Sequence, residues 1–398
     1  MSTPHTNDFL DFGWFRDHLT QEILPKWLHN SVTDEGFFFT QFDRQWRRYP
    51  REYNTLISQS RLLYNFSMGY ELTGGEEYRK AVETGARFLI EAHRDREFGG
   101  WFRSCTRDGN VADSNKDSYG HAFAIFGLSH AFRCTGNQDY RKAAWETWEV
   151  LSTHFKDRRG GLIPTMTRDF KDFGDIRSQN PIMHLFEALL ALGSLEGMNH
   201  ALDEAQKTAD FVLKRLLRKG DGLLPEWYSE NWNELSEDQG GRIDIGHAFE
   251  WAYLLSTSVE RGLPKAYLAH ATNFLEYGLR IGYDAIDGGV FRLASPDGKS
   301  LSEDKRWWPQ CEAIRALMHF VILRGNDTLW TPLLKTIHFV KENFVDGEYG
   351  GWYTFREPGV SLVSQNAGTD KGGEWKVDYH VVGMCVEAIR LQRELSEQ

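Results

Sequence analysis

A short glycine-rich turn recurs six times along the chain, at Asp34-Glu35-Gly36-Phe37, Phe98-Gly99-Gly100-Trp101, Arg159-Gly160-Gly161-Leu162, Gly220-Asp221-Gly222-Leu223, Asp287-Gly288-Gly289-Val290 and Tyr349-Gly350-Gly351-Trp352. Counted from positions 36, 99, 160, 221, 288 and 350, the steps are 63, 61, 61, 67 and 62 residues. Each step holds two helices with their connections, so the chain is expected to form six helix pairs. An open stack of pairs needs polar capping repeats at its ends, and none is evident. Closure into a ring buries both end faces instead. The expectation is an all-α ring of twelve helices with short hairpin-like loops, built as one domain over residues 1–398.

The helices can be placed from composition along each unit. Ser118 to Arg133, Pro181 to Gly197, Ile245 to Val259, Glu312 to Leu323 and Tyr379 to Leu395 are rich in Ala, Leu, Phe and Gly on several faces, as helices covered on both sides should be. Asp139 to His154, Ala201 to Leu217, Pro264 to Gly282, Leu329 to Phe344 and about Trp14 to Leu28 carry Lys, Arg, Glu and Gln on one face, which suits an outer layer. Asn180, Asp244, Ser118 and Asp378 stand near inner-helix starts as candidate caps. All inner helices run the same way, so their positive dipole ends converge on one mouth of the ring. An aromatic-lined cup is expected there.

The chain carries 46 basic and 57 acidic residues, a formal charge of −11, with no Lys/Arg block. Nucleic acid is therefore not an expected partner. No run approaches the length of a membrane span, and Met1 to Asp8 lacks a positive region followed by an apolar one, so a cytoplasmic protein is expected. Cys105, Cys134, Cys311 and Cys385 form no CxxC or Cys/His group, which points to neither a zinc site nor a disulfide framework. The diglycine at Gly372-Gly373 lacks the strand-turn-helix context of a dinucleotide site. Neither metal nor cofactor is expected. Association of copies through the outer helices, giving a homo-oligomer, is compatible with the pattern.

Six polar residues recur in phase with the turns. Arg61, His121, His184, His247, Gln310 and His380 follow their unit's glycine or aspartate by 25, 22, 24, 26, 22 and 30 residues, placing four of the fourteen histidines near one opening. Histidine accepts and donates protons near neutrality, so His247 and His380 are the leading acid/base candidates, with His184 third. Glu250 lies three residues after His247, on nearly the same helix face, where it can orient the ring or hold a substrate hydroxyl. Arg61 offers a fixed positive fork for a developing enolate oxygen. Trp308 is the expected sugar platform. Gln310, Glu312, His121 and the loop residue Glu226 are further binding candidates, Glu312 as a partner of Arg61 or of a histidine.

The segments Ser60-Arg61, Met183-His184-Leu185-Phe186-Glu187-Ala188, Gly246-His247-Ala248-Phe249-Glu250-Trp251, Trp307-Trp308-Pro309-Gln310-Cys311-Glu312-Ala313 and Tyr379-His380 resemble those of the N-acylglucosamine 2-epimerase superfamily, over almost the whole chain. The resemblance implies an (α/α)6 barrel acting on a small sugar. It implies that Arg61, His184, His247 and His380 line the sugar site, the last two as principal acid/base pair assisted by Glu250. Epimerases of that family commonly carry an Asn-Gly-Arg-like segment after the final histidine. Here Tyr379-His380-Val381-Val382-Gly383 lacks that arginine, which favours an aldose-ketose isomerase of the D-mannose isomerase type, working on D-mannose and D-fructose, and also D-lyxose and D-xylulose. A 2-epimerase of the mannose/glucose or cellobiose type is the alternative. Two other classes compete: a glycoside hydrolase using two of Glu226, Asp244, Glu250 and Glu312, and a non-catalytic sugar binder.

Overall fold

The computed structural model describes residues 10–299, 301–356 and 368–397; the stretch Met1 to Asp8, read above for a leader, lies outside them. Among these residues two concentric layers of six helices form the ring. The inner layer consists of Leu56–Thr73, Ser118–Thr135, Asn180–Gly193, Ile245–Glu260, Trp307–Arg324 and Tyr379–Glu397. Each packs on the next, and the last contacts the first and also the first outer segment, Phe12–Asp17, which closes the circle. The outer layer continues with Glu76–Phe88, Gln138–Val150, His200–Phe211, Tyr267–Gly282 and Trp330–Asn343.

Inner helices are buried almost from end to end; Ile245–Glu260 exposes little beyond its last turn. Outer helices bury one stripe, as Tyr78, Ala81, Val82, Gly85 and Ala86 do in Glu76–Phe88. Several outer helices end in a π turn, at Leu89–His93, Leu151–Phe155 and Val212–Leu216, a feature that the residue pattern does not announce. The inner helix expected from Glu312 begins earlier, at Trp307, so that Trp308 and Gln310 are helical. Of the candidate caps, Ser118 is displaced by its neighbour Asp117, whose carboxylate accepts the Gly120 N–H, and Asp378 receives the Trp27 indole N–H at 2.9 Å.

The glycine turns close on themselves through single bridges, Val32 with Phe38, Arg94 with Trp101, Lys156 with Leu162, Tyr283 with Val290 and Val345 with Trp352. The strands just beyond them pair between units. Tyr53–Thr55 pairs with Ser104–Thr106, Lys116–Asp117 with Thr165–Met166, Arg177–Ser178 with Trp227–Tyr228, Ile243–Asp244 with Leu293–Ala294, and Lys305–Arg306 with Phe355–Arg356. Each strand that feeds an inner helix is thereby bolted to the following unit.

A repeated buried ion pair fastens the strand or segment ahead of an inner helix to the turn of its own unit. An aspartate opening the turn accepts turn N–H groups on one oxygen and a cation from the strand or segment ahead of the inner helix on the other. Asp95 meets Lys116 at 3.1 Å, Asp157 meets Arg177 at 2.7 Å, Asp284 meets Lys305 at 2.6 Å and Asp346 meets Lys371 at 2.7 Å. Burial alone would raise the Asp95 and Asp346 pKa values, but hydrogen bonds from Arg168 and Lys116, and from Arg44 and Lys371, hold both well below the ordinary carboxylate range.

Removing one partner of such a pair leaves an uncompensated buried charge. Asp95→Asn is expected to lower unfolding free energy by about 3 kcal/mol in urea titrations. Because the folded pKa lies below the unfolded one, the Asp95 contribution is complete above about pH 4 and is lost as pH falls toward the folded value. The variant's urea midpoint should therefore fall less steeply than the parent's on acidification. Equal slopes would show that the pair carries no linkage.

Candidate active site

The strand ends provide a common register for the inner helices. The second or third residue beyond them supplies Tyr119, Asn180, His247, Trp308 and, counted from Asp378, His380. The sixth supplies Arg61, Phe123, His184, Glu250 and Glu312. At 1.5 Å of rise per residue these are successive layers, about 5 Å apart, down the bore of the ring. All but Phe123 and Glu312 line a pocket of about 260 Å³ at the mouth onto which the inner-helix N-termini open, together with Glu226, Trp227, Asp244, Trp375 and the rim arginines Arg242, Arg292 and Arg306.

His247 lies against Glu226. Its Nδ1 is 2.7 Å from a Glu226 oxygen, and Glu226 also accepts the Ser178 hydroxyl at 3.0 Å and the Gln179 amide at 2.7 Å. The Trp251 indole holds Gln179 from behind at 2.8 Å. Strand pairing explains the meeting: Glu226 immediately precedes Trp227–Tyr228, which pairs with Arg177–Ser178. Burial lowers the His247 pKa, but Glu226 and Asp244 outweigh it and raise the value to about 9. Asp244, buried and near Glu226, is itself raised to about 6.

His380 has the opposite setting. Its Nδ1 is 2.7 Å from Glu312, yet burial and the nearby charges of Arg61 and His184 push its pKa well below the usual histidine value. Burial raises Glu312 to about 7 against the pull of Arg315, whose guanidinium is 3.5 Å away. His247 and His380 both lie beside the Trp308 indole, with ring centroids 5.0 and 5.4 Å from it. One wall thus carries a charged imidazole and a neutral one.

The floor is acidic and dry. His184 Nδ1 is 3.1 Å from Glu187 and 3.9 Å from Glu250, and burial lowers its pKa. Glu250 is fully buried, and neither oxygen has a hydrogen-bond partner among the described residues. Burial, then Glu312 and Glu187, raise it far above the carboxylate range, so it stands as a neutral acid able to donate. Arg61 donates to the Trp375 carbonyl and the Tyr119 hydroxyl, both at 2.7 Å, over the face of Phe123. Two triads, His184 with Glu187 and Glu250, and Glu250 with Glu312 and His380, bring ligand atoms within 4.8 Å of one another and are the places where a divalent cation would find three donors.

Arg61, His184, His247, Glu250, Trp308, Glu226 and His380 thus converge as expected, with Glu312 directly behind His380. His121 and Gln310 do not. His121 Nδ1–H donates to the Asp117 carbonyl at 2.7 Å and its Nε2 accepts the Trp101 N–H at 3.0 Å. The Gln310 oxygen accepts the Val290 N–H at 2.7 Å and its amide donates to the Val290 carbonyl at 2.8 Å. Gln59 accepts the Phe38 N–H at 3.1 Å and donates to the Gly36 carbonyl at 2.8 Å. All three are the fourth residue beyond the strand, about 200° around the helix from the sixth, and so face the outer wall. A Cβ on Gly100 or Gly289 would sit 2.6 Å from His121 Nε2 or Gln310 Oε1, which is why the turn residue under these two locks is glycine. Tyr119, Gln179, Trp227 and Trp375 were not singled out as site residues, because only strand pairing and ring closure bring them to the mouth.

An α/α ring whose bore ends in a cup of histidines, carboxylates and tryptophan is built to handle a small polyhydroxylated ligand by proton transfer. The model of the N-acylglucosamine 2-epimerase (GlcNAc 2-epimerase) family matches residues 36–384, and the chain belongs to that family of epimerases and isomerases. It is 26% identical over 391 residues to a D-mannose isomerase of Marinomonas mediterranea, covering 96% of this chain and 98% of that protein. It is 25% identical over 385 residues to a cellobiose 2-epimerase of Bacteroides fragilis, covering 93% and 96%. The fold superposes on a crystal structure of D-mannose isomerase with a TM-score of 0.88 at 24% identity, over 98% of this chain and 100% of that one. No helix of the described residues is long and apolar enough to cross a membrane.

The His247–Glu226 pair can be tested without a substrate. Side-chain NMR titration should find His247 protonated through pH 8 in the parent, and in Glu226→Gln losing its proton nearer the ordinary histidine value of about 6.5. An unchanged titration would show that Glu226 does not set the charge.

Proposed function

We propose that the protein is an aldose-ketose isomerase interconverting D-mannose and D-fructose, with D-lyxose and D-xylulose as further substrates. The observation that carries this reading is the division of labour along Trp308: His247 is held charged and His380 neutral. Two groups whose environments separate their pKa values are the mark of an assigned acid and an assigned base.

The sugar ring stacks on Trp308, and protonated His247 donates to the ring oxygen as the C1–O5 bond opens, while the C1 hydroxyl gives up its proton to solvent as C1=O1 forms and His247 regains one from solvent. His380 Nε2 removes the C2 proton; the C2–H electron pair becomes the C1=C2 bond, and O1 takes a proton from neutral Glu250. The resulting cis-enediol has its oxygens held by Arg61 and His184, where fixed donors stabilise developing charge. The O2 proton returns to Glu250 as C2=O forms, and His380 delivers its proton to C1 on the same face. Atoms and protons balance with one base.

Epimerisation at C2 requires proton delivery from the opposite face, and the reverse reaction then needs His247 as a base. Its charged state disfavours that role, which supports the isomerase. The epimerase reading draws on Trp375, 49% exposed at the mouth, as a platform for a second sugar ring. Against a hydrolase, Glu226 and Glu312 are each hydrogen-bonded to a histidine rather than flanking a shared space.

An NMR time course with D-mannose in D2O, after EDTA treatment, is expected to give fructose first, with deuterium at C1. Glucose deuterated at C2 without early fructose would overturn the isomerase in favour of the epimerase. His380→Asn should reduce turnover and C2 exchange by about 10²- to 10⁴-fold, whereas a hydrolase would tolerate it.

A further inference from the structure

The ring has a second opening, at the C-terminal ends of the inner helices, with a cavity of about 360 Å³. We propose that this rear cavity is a second ligand site for a small phosphate-type oxyanion.

The case begins with charge. Five guanidiniums, Arg133, Arg261, Arg315, Arg390 and Arg393, face the cavity with four carboxylates, Glu71, Glu187, Glu260 and Glu387. Three of the carboxylates neutralise Arg133, Arg390 and the neighbouring Arg324, and the fourth faces away. Glu71 holds Arg133 at 2.9 Å, Glu387 holds Arg390 at 2.7 Å and His319 at 3.0 Å, and Glu260 receives Arg324 at 2.8 Å. Glu187 turns toward the front, to His184 at 3.1 Å and the Tyr379 hydroxyl.

Arg261 and Arg393 are left with no ion pair among the described residues. Arg261 donates only to the Leu190 carbonyl, at 2.8 Å. That bond caps the neighbouring helix, as a cation at a helix C-terminus should, but the dipole does not absorb the excess. Desolvation lowers Arg261 below the ordinary arginine value despite Tyr253, and the nearby Arg133, Arg390 and Arg315 add to the shift. A second observation points inward. His130 lines the cavity at 7% exposure, packed on Tyr64 and Phe126, and its Nδ1 has no hydrogen-bond partner among the described residues. Guanidinium forks with an imidazole nitrogen match a tetrahedral oxyanion, which accepts several charge-assisted hydrogen bonds at once.

The partition between front and rear is one layer thick. Tyr64, Phe126, Glu187, Tyr253, Arg315 and Glu387 are the ninth residues in the helix register, one layer below Arg61, His184, Glu250 and Glu312, and all six line the rear cavity. Glu187 touches His184, and Arg315 touches Glu312, which holds His380.

Isothermal titration with inorganic phosphate at constant ionic strength tests the site on the intact protein. The expected result is saturable uptake of one phosphate per chain, not displaced by D-mannose, and weakened about tenfold in Arg393→Gln and in Arg261→Gln. Arg393 makes no capping bond, so its variant keeps the test valid if Arg261→Gln folds poorly. No saturable uptake, unchanged affinity in Arg393→Gln, or displacement by D-mannose, which would place the ion among the rim arginines of the front pocket, overturns the site.

Discussion

The aspartate-cation clasp between four of the six turns and the strand or segment ahead of the next inner helix is the constraint on which the rest of the molecule depends. Asp95–Lys116, Asp157–Arg177, Asp284–Lys305 and Asp346–Lys371 fix where four of the inner helices begin. That starting point sets which side chains fall in the second, sixth and ninth positions, and hence which face the bore. A slip of one residue would turn each helix by about 100° and exchange bore residues for wall residues. The glutamine and histidine locks at Gln59, His121 and Gln310 act on the same join from the helix side. A buried ion pair is a costly way to hold two elements together, but its geometry is specific, and specificity of register is what a ring of layered side chains requires.

Once the layers are in place, their chemistry follows from unequal neutralisation. The bore gathers Glu187, Glu250, Glu312, His184, His247, His380, Arg61 and Arg315 into a volume with little water. Charges that find a close partner stay charged, as His247 does beside Glu226. A charge without one is suppressed, as in Glu250. The same carboxylate-histidine contact distance, 2.7 Å, produces opposite outcomes at His247 and His380, because Asp244 adds negative charge near the first while Arg61 and His184 add positive charge near the second. Arg315 and Glu187 serve both faces of the partition, so front and rear of the ring share one electrostatic system.

Much of this was legible in the residues. The six-fold turn spacing, the apolar inner helices and the amphipathic outer ones led to the ring, and the phase of the histidines led to the mouth. The phase argument failed at His121 and Gln310 for a simple reason. Its offsets spread over eight residues, more than two helical turns, whereas a shift of two residues is enough to move a side chain from the bore to the wall. Distance from the glycine turn measures a connection of variable length; distance from the strand end measures helix rotation. Only the second decides facing, and strands of two or three residues leave almost no trace in composition. Glu226 was suspected because it follows a turn, but its hold on His247 arises from pairing of Trp227–Tyr228 with Arg177–Ser178.

The sequence by itself determined the repeat, the class of fold and the inventory of acids, bases and rings available to the mouth, because periodicity and residue chemistry are local properties. The tertiary structure alone decided which histidine carries a proton, which carboxylates are neutral and which residues meet across the closure, Arg61 with the Trp375 carbonyl and Tyr379 with Glu187. Those facts are sums of burial and charge over groups up to some 300 residues apart in the chain. They exist only once the ring has closed.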